Sequence, residues 1–415
     1  MKILHTSDWH LGRTLYGKKR YEEFAAFLHW LTDTINQHQV DVLLVAGDVF
    51  DTGTPSNRAQ ELYYRFLRNV GKSSCRHVVI TAGNHDSPSF LNAPKDLLRT
   101  LNIHVIGATS GSPEEEVLLL SSQTGTPELV VCAVPYLRDR DIRLAEAGES
   151  IADKESKLLD GIRSHYALVG ELAEQQRNAN HPDLPIVATG HLFTAGGQTI
   201  DGDGVRELYI GSLAHVGASV FPACIDYLAL GHLHVPQKVG GSETRRYSGS
   251  PLPMGFGESR QRKTVCLVEF RGRAASVLPL DVPIFQALEQ IRGNLIAIET
   301  RLAELVAAHS QAWLEIIYTG EEVISNLREH LESLLAGTSM EILRIKNNRV
   351  TDCGLQPTNE GESLDDLDVT DVFKRCLSVH AVPEAQWPDL LHTYQEVLHS
   401  LHEDVPVEPS GKGQG

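Results

Sequence analysis

Five short clusters of acids, imidazoles and one amide hold most of the chemistry in this 415-residue sequence. They are Asp8-Trp9-His10, Gly47-Asp48-Val49-Phe50-Asp51, Gly83-Asn84-His85-Asp86, Gly190-His191 and Gly231-His232-Leu233-His234. Carboxylate, imidazole and amide oxygen without thiolate suit Mn²⁺, Fe²⁺, Zn²⁺ or Mg²⁺ better than a structural cysteine-rich zinc site. Two such ions, about 3.5–4 Å apart and sharing a carboxylate, would clamp the attacking and leaving oxygens of a phosphate. Asp8 and His10, like His232 and His234, are two apart, which in extended chain turns both side chains to one side. A glycine ahead of the functional residue lets the backbone turn sharply as a strand ends. Each cluster alone also has an ordinary explanation: a surface Asp-x-His, a Gly-Asp turn whose aspartate caps the next helix, or a turn with satisfied histidines. Five of them in order, each closing a strand, exceed coincidence.

The elements that must position these clusters are legible in the first 280 residues. Short β-branched runs occur at Lys2–Ser7, Val40–Gly47, His77–Gly83, Leu129–Pro135, Pro185–Gly190, Tyr227–Gly231 and Thr264–Phe270. Several are continuous apolar runs, the pattern of strands buried on both faces. Helical stretches at Tyr21–His38, Arg58–Val70 and Ser156–Arg177 alternate with them, and Val117–Leu120 reads as a hairpin strand. The alternation predicts an α/β layered domain, and functional groups in such sheets gather outside the carboxyl ends of the strands. All five clusters therefore face one rim.

After Pro279 the pattern changes. Ile284, Leu288, Ile291, Leu295, Ile298, Leu302 and Leu305 follow a 4-3-4-3 spacing that predicts one amphipathic helix. A strand at Trp313–Tyr318, a helix at Glu321–Ala336 stopped by Gly337, and a strand at Met340–Lys346 follow. Two further stripes, Val369 to Leu377 and Leu390 to Leu401, flank Pro383 and read as a helical hairpin. The expected domains are 1–280, a small α+β capping domain at 281–350, a linker at 351–363, the hairpin at 364–402 and a tail at 403–415.

The apolar share of 41% supports a sizeable core. Thirty-seven basic against fifty-four acidic residues give −17, with net −3 in residues 1–280 and −14 in the remainder. That balance lacks the basic footprint of a general nucleic-acid binder. The six cysteines (Cys75, Cys132, Cys224, Cys266, Cys353, Cys376) form no C-x-x-C pair and read as reduced thiols. With no apolar leader and no spanning-length run, the expected compartment is the cytoplasm.

In order and type the five clusters resemble the calcineurin-like metallophosphoesterases, a layered β-sandwich flanked by helices. More closely, Thr6-Ser7-Asp8-Trp9-His10-Leu11-Gly12, Ala46-Gly47-Asp48-Val49-Phe50-Asp51-Thr52-Gly53 and Tyr247-Ser248-Gly249-Ser250-Pro251 are similar to the bacterial SbcD family of nuclease subunits. The resemblance implies one metal held by Asp8, His10, Asp48 and His234. It implies a second held by Asp48, Asn84, His191 and His232, with Asp48 bridging and Mn²⁺ preferred over Mg²⁺. It further implies that His85 protonates the leaving oxygen, that Asp51 orients His85, and that Asp86 stabilises its loop.

By the same resemblance the activity is Mn²⁺-dependent hydrolysis of DNA at double-strand ends and hairpins, 3′-to-5′ exonucleolytic and endonucleolytic. The partners are the SbcC ATPase, which regulates through ATP, duplex and hairpin DNA, and a second copy of the chain. DNA phosphates need lysine and arginine. Arg13, Lys18, Lys19 and Arg20 are the first candidates, followed by Arg58, Arg138, Arg140, Arg245 and Arg246, each of which also reads as a solvated surface charge. Relatives build the dimer on helices matching Arg58–Val70 and Ser89–Leu101, so Leu62, Phe66, Leu67 and Val70 either pair two copies or pack on the sheet. The hairpin at 364–402 is the expected SbcC-binding element. The alternatives are a phosphatase of small esters or phosphoproteins and a non-catalytic scaffold. Thr52-Gly53 stands where phosphoprotein phosphatases carry arginine, and the intact ligand positions count against a scaffold.

Overall fold

A computed structural model describes residues 1–143, 149–194, 217–320, 324 and 326–347, and the single positions 373, 377, 387, 390, 391 and 394. Two six-stranded sheets form the body of the first unit. One contains β1 (Lys2–Thr6), β2 (Val42–Ala46), β3 (His77–Thr81) and β4 (Ile103–Ile106), all parallel, with the antiparallel pair β11 (Thr264–Arg271) and β12 (Ala274–Asp281) beside β1. The other runs β9 (Gln237–Lys238), β10 (Arg245–Tyr247), β8 (Tyr227–Gly231), β7 (Ile186–His191), β6 (Pro127–Cys132) and β5 (Val117–Ser121). Its central strands β6, β7, β8 and β10 are parallel.

Three apolar clusters explain the layering. Ile3, Val42, Leu44, Val79 and Val268 of the first sheet meet Leu129, Val131, Val187, Tyr227 and Ala229 of the second, so the sheets bury their inner faces against each other. The outer face of the first sheet (Leu4, Leu43, Val45, Val78, Ile80) is covered by α1 (Tyr21–His38) and α2 (Asn57–Val70), through Phe24, Phe27, Leu31, Leu62 and Phe66. The outer face of the second is covered by α5 (Ile151–Asn180), through Leu158, Ile162, Tyr166 and Val169. The result is an α/β/β/α stack in which strands buried on both faces carry nearly continuous apolar sequence.

One open alternative is resolved in this unit and one expectation changes. The stripe Leu62, Phe66, Leu67 and Val70 is buried in the core, so it packs on the sheet. The helix expected over Ser89–Leu101 is two short ones, α3 (Pro88–Asn92) and α4 (Lys95–Arg99), interrupted at Pro94, whose ring supplies no N–H for a continuing helix.

The second unit comprises Ile291–Ser310, Glu315–Thr338 and the chain from Arg344 onward. It holds α6 (Leu295–Ala307), α7 (Leu327–Leu334) and the C-terminal parts of a three-stranded sheet ordered β13 (Leu288–Gly293), β14 (Trp313–Tyr318), β15 (Glu341–Asn347). The single helix expected from Ile284 to Leu305 is thus a strand followed by a helix. Asn294 makes the break: its side chain accepts the Ala297 N–H at 3.0 Å and starts α6, as an N-cap does. Ile298, Leu302 and Leu305 form the buried stripe of α6. The helix expected over Glu321–Ala336 is seen as Leu327–Leu334. Of the hairpin at 364–402 only single positions are described; there Leu377 is buried, and the Phe373 and Tyr394 rings stack with centroids 4.0 Å apart.

Candidate metal centre

The carboxyl ends of β1, β2 and β3 from one sheet and of β7 and β8 from the other converge, and each delivers a cluster. The loops after β1 and β2 are laced by backbone bonds from Asp8 N to Gly47 O (3.0 Å), His10 N to Asp48 O (2.9 Å) and Leu11 N to Val49 O (2.9 Å). Trp9, between the first two candidate ligands, points into the core and packs edge-on to Phe27 and Phe66. Its ring nitrogen donates to Thr6 Oγ1 at 3.0 Å.

Alternation in extended chain is not how Asp8 and His10 come to face one way. Asp8 (φ 53°), His10 (φ 47°), Asp48 (φ 49°) and His232 (φ 97°) all sit at positive φ, a strained region for non-glycine residues that concentrates at functional sites. One of the glycines has a different task from the one expected. Gly47 does turn at φ 87°, but Gly83 does not need a special φ; a Cβ there would fall 2.1 Å from Asp48 Oδ1. Gly83 is glycine because the β3 loop must press directly against the Asp48 side chain.

Asp8, His10, Asp48, His191, His232 and His234 are buried; Asn84 and His85 are half-buried. Asp48 stands in the middle. Its Oδ2 lies 3.6 Å from His10 Nε2 and 3.2 Å from His191 Nε2, and its Oδ1 accepts the His85 N–H at 2.9 Å. On one side His10 Nε2 and His234 Nε2 approach to 3.2 Å, with Asp8 in the same group. On the other, Asn84 Oδ1 lies 2.9 Å from His191 Nε2 and 3.3 Å from His232 Nδ1. Asp8 Oδ1 accepts the His232 N–H at 2.8 Å, tying the two halves together.

The far ring nitrogens are held as well. His191 Nδ1 meets Ala46 O at 3.1 Å, and His10 Nδ1 meets Asp51 Oδ1 at 3.3 Å. Asp51 therefore reaches two histidines: its carboxylate faces His10 and Arg13, while its backbone carbonyl, 2.8 Å from Nδ1, holds His85. Asp86 closes the loops by accepting Phe50 N (2.9 Å), Val49 N (3.1 Å) and Gly83 N (2.9 Å).

The residues fit a pair of divalent cations. Hard and borderline donors converge with several lone pairs aimed at one another, an arrangement that favours a cation. Burial alone would lower the His191 pKa, yet the adjacent Asp48 carboxylate outweighs it and lifts the imidazole to about 9. Burial would raise Asp48, but His191 and His10 hold it well below the usual carboxylate range. A proton therefore occupies ground that suits a metal.

The candidate DNA contacts divide. Arg13 Nη1 lies 3.2 Å from Asp51 Oδ1 at the edge of the centre. Lys19 is exposed on the hairpin Thr14–Lys19, and Lys18 pairs with Glu341. Arg20 departs from the expectation of a solvent-facing cation: its buried guanidinium pairs with Glu23 and donates to Pro253 O at 2.7 Å. Arg246 is likewise buried against Glu243. The sequence reading also overlooks the supports: Ser7 Oγ bonds Asp8 and, at 2.9 Å, Ser248 Oγ. Their signal is the Tyr247–Pro251 motif itself, which follows no metal-ligand pattern.

The family model for calcineurin-like phosphoesterases matches residues 1–236, and one described as the type 5 capsule protein repressor C-terminal domain matches residues 284–380. Fold and site together define a calcineurin-like phosphoesterase. The SbcD component of the SbcCD nuclease of Escherichia coli K12 is 39% identical over 404 residues, covering 97% of this chain and 98% of that protein. Its counterpart from Rhodobacter capsulatus is 37% identical over 70% of this chain and 71% of its own, and that from Bacillus subtilis 36% over 65% and 66%. The chain belongs to the SbcD family of nuclease subunits. Among the described residues, no helix is long and apolar enough to cross a membrane.

Proposed function

We propose that the chain is the nuclease component of an SbcC–SbcD-type complex in the cytoplasm, hydrolysing DNA phosphodiesters at double-strand ends and hairpins with two Mn²⁺ ions. The observation that carries the reading is Asp48, one oxygen of which faces ring nitrogens from both halves of the centre. Asp8, His10, Asp48 and His234 would hold one ion and Asp48, Asn84, His191 and His232 the other. When bound, the ions supply nucleophile activation and neutralisation of phosphate charge.

The chain supplies the rest. Asp51 O fixes Nδ1 of His85, so Nε2 is the atom from which a proton passes to the departing oxygen. The half-buried His85 lies edge-on to His10, with centroids 4.8 Å apart, at the margin of the buried ligands where a phosphate would enter. Asp51 holds both rings at once, which keeps acid and ligand in register. Arg13 and Lys19 would position a DNA backbone.

The 3′-to-5′ exonuclease polarity, the endonuclease activity and the ATP control through SbcC rest on family membership. SbcC would bind the hairpin at 364–402. A second copy would dock on the surface of α2 and α4, where Tyr64, Leu97 and Leu101 are exposed.

The test is cleavage of an end-labelled blunt duplex in Mn²⁺, with and without SbcC and ATP, against Asp48→Asn. Cleavage that the variant loses supports the two-metal nuclease, and stimulation by ATP supports the complex. A wild type that hydrolyses phosphomonoesters but leaves duplex intact points instead to a phosphatase.

A further inference from the structure

His234 is the one ligand of the first half whose far nitrogen faces a charged group from outside the five clusters. Its Nε2 looks at His10, and its Nδ1 lies 3.5 Å from Oε1 of Glu258. Glu258 is completely buried, and Oε1 makes no hydrogen bond. Its other oxygen is fully occupied: Oε2 accepts Met254 N at 3.0 Å, lies 3.5 Å from Ser250 Oγ and pairs with Lys263 Nζ. Lys263 is buried too, and its ammonium spans Glu258, Ser250 Oγ (3.0 Å), Gln261 Oε1 (3.0 Å) and the backbone carbonyl of His234 (3.1 Å). Ser250 N donates to the same carbonyl at 3.2 Å. One buried ion pair thus grips the ligand residue at both its backbone and its ring.

A buried carboxylate with an unused oxygen is costly; a carboxylate behind a metal-ligating imidazole is a recurrent arrangement that fixes ring orientation and raises ligand basicity. A neutral imidazole carries one N–H and one lone pair. With the N–H on Nδ1 aimed at Glu258, the lone pair of Nε2 is left for the cation.

We propose that Glu258 is the positioning residue that sets the tautomer and orientation of His234, and that Lys263 is the counter-charge that keeps Glu258 buried and ionised for that task. The inference rests on the metal-centre reading of the same site. It also gives a use to the Tyr247–Pro251 segment: Ser248 supports Asp8 through Ser7, while Ser250 belongs to the Glu258–Lys263 lattice behind His234.

The test is Mn²⁺ titration of the chelator-stripped full chain by calorimetry, with thermal midpoints recorded in parallel. Glu258→Leu with Lys263→Met removes the carboxylate without stranding a buried charge, and Glu258→Gln keeps the shape should the double variant fold poorly. The wild type is expected to bind two ions. The double variant should lose about 10- to 100-fold in affinity for one of them, with the other retained, and kcat for duplex cleavage should fall without a change in KM. Glu258→Gln, whose amide oxygen can still accept from Nδ1, should lose less of the same ion's affinity. Both ions bound at wild-type affinity in a folded variant overturns the inference alone. Parallel loss of both ions and of the thermal midpoint also overturns it, because the pair would then be merely structural. A wild type that binds no Mn²⁺ removes the metal centre and the inference together.

Discussion

At the scale of the residue, the centre is a set of histidines whose two nitrogens are given different work. His85 has Nδ1 on the Asp51 carbonyl and is not among the seven candidate metal ligands. Replacing it by glutamine should lower kcat for duplex cleavage by about 10²–10⁴-fold, the usual worth of a general acid. Mn²⁺ affinity measured by titration should stay unchanged. His191 behaves differently. Asp48 raises its pKa to about 9, so at neutral pH the metal-free site carries a proton that a cation must displace. Mn²⁺ affinity should therefore rise with pH up to about 9 and level off above it. Calorimetry in buffers of different ionisation enthalpy should report proton release on binding.

At the scale of the element, the strands are legible because each is buried on both faces and so reads as an apolar run, while the helices between them carry a stripe. Misreadings fall where a short polar residue or a proline overrides the pattern. Asn294 splits the Ile284–Leu305 stripe into β13 and α6, and Pro94 splits α3 from α4. β12 escapes the sequence reading because its side chains alternate between exposed and half-buried at a sheet edge, which leaves little apolar signal.

Burial within the strands has a consequence for stability. His5 on β1, bonded to Tyr227 at 2.9 Å, is pushed by burial from 6.5 down to about 3, and His104 on β4 down to about 4. Both are neutral when folded, whereas the unfolded chain takes up their protons below about pH 6.5. Stability from these groups is complete above that pH and is lost as the pH falls towards 4. Urea midpoints should drop between pH 7 and pH 4.5, and His5→Gln should flatten part of that slope.

At the scale of the whole molecule, the acidic balance is concentrated outside the phosphoesterase body, at net −14 after residue 280. A chain with this charge balance should hold DNA weakly by itself, and the partner should add much of the phosphate binding. Deleting 364–415 should abolish co-purification with SbcC while leaving the Mn²⁺-dependent cleavage of duplex by the isolated chain within about 2-fold, since all seven candidate ligands lie before residue 235. Unchanged co-purification would place the SbcC contact elsewhere.

Residue types, their order and their attachment to strand ends are all readable from the sequence, because metal-binding chemistry restricts both donors and spacing. The buried-strand pattern predicts a layered α/β body, and the two-sheet sandwich is implied by the family resemblance rather than by periodicity. Tertiary structure alone settles that the centre draws on both sheets, that four of its residues sit at positive φ, and that Asp51 holds His10 and His85 with different atoms. It also turns Arg20 inward and brings Glu258 and Lys263 behind His234. Those outcomes depend on contacts between segments far apart in the chain, and no local periodicity or motif encodes which buried charge will face which ring.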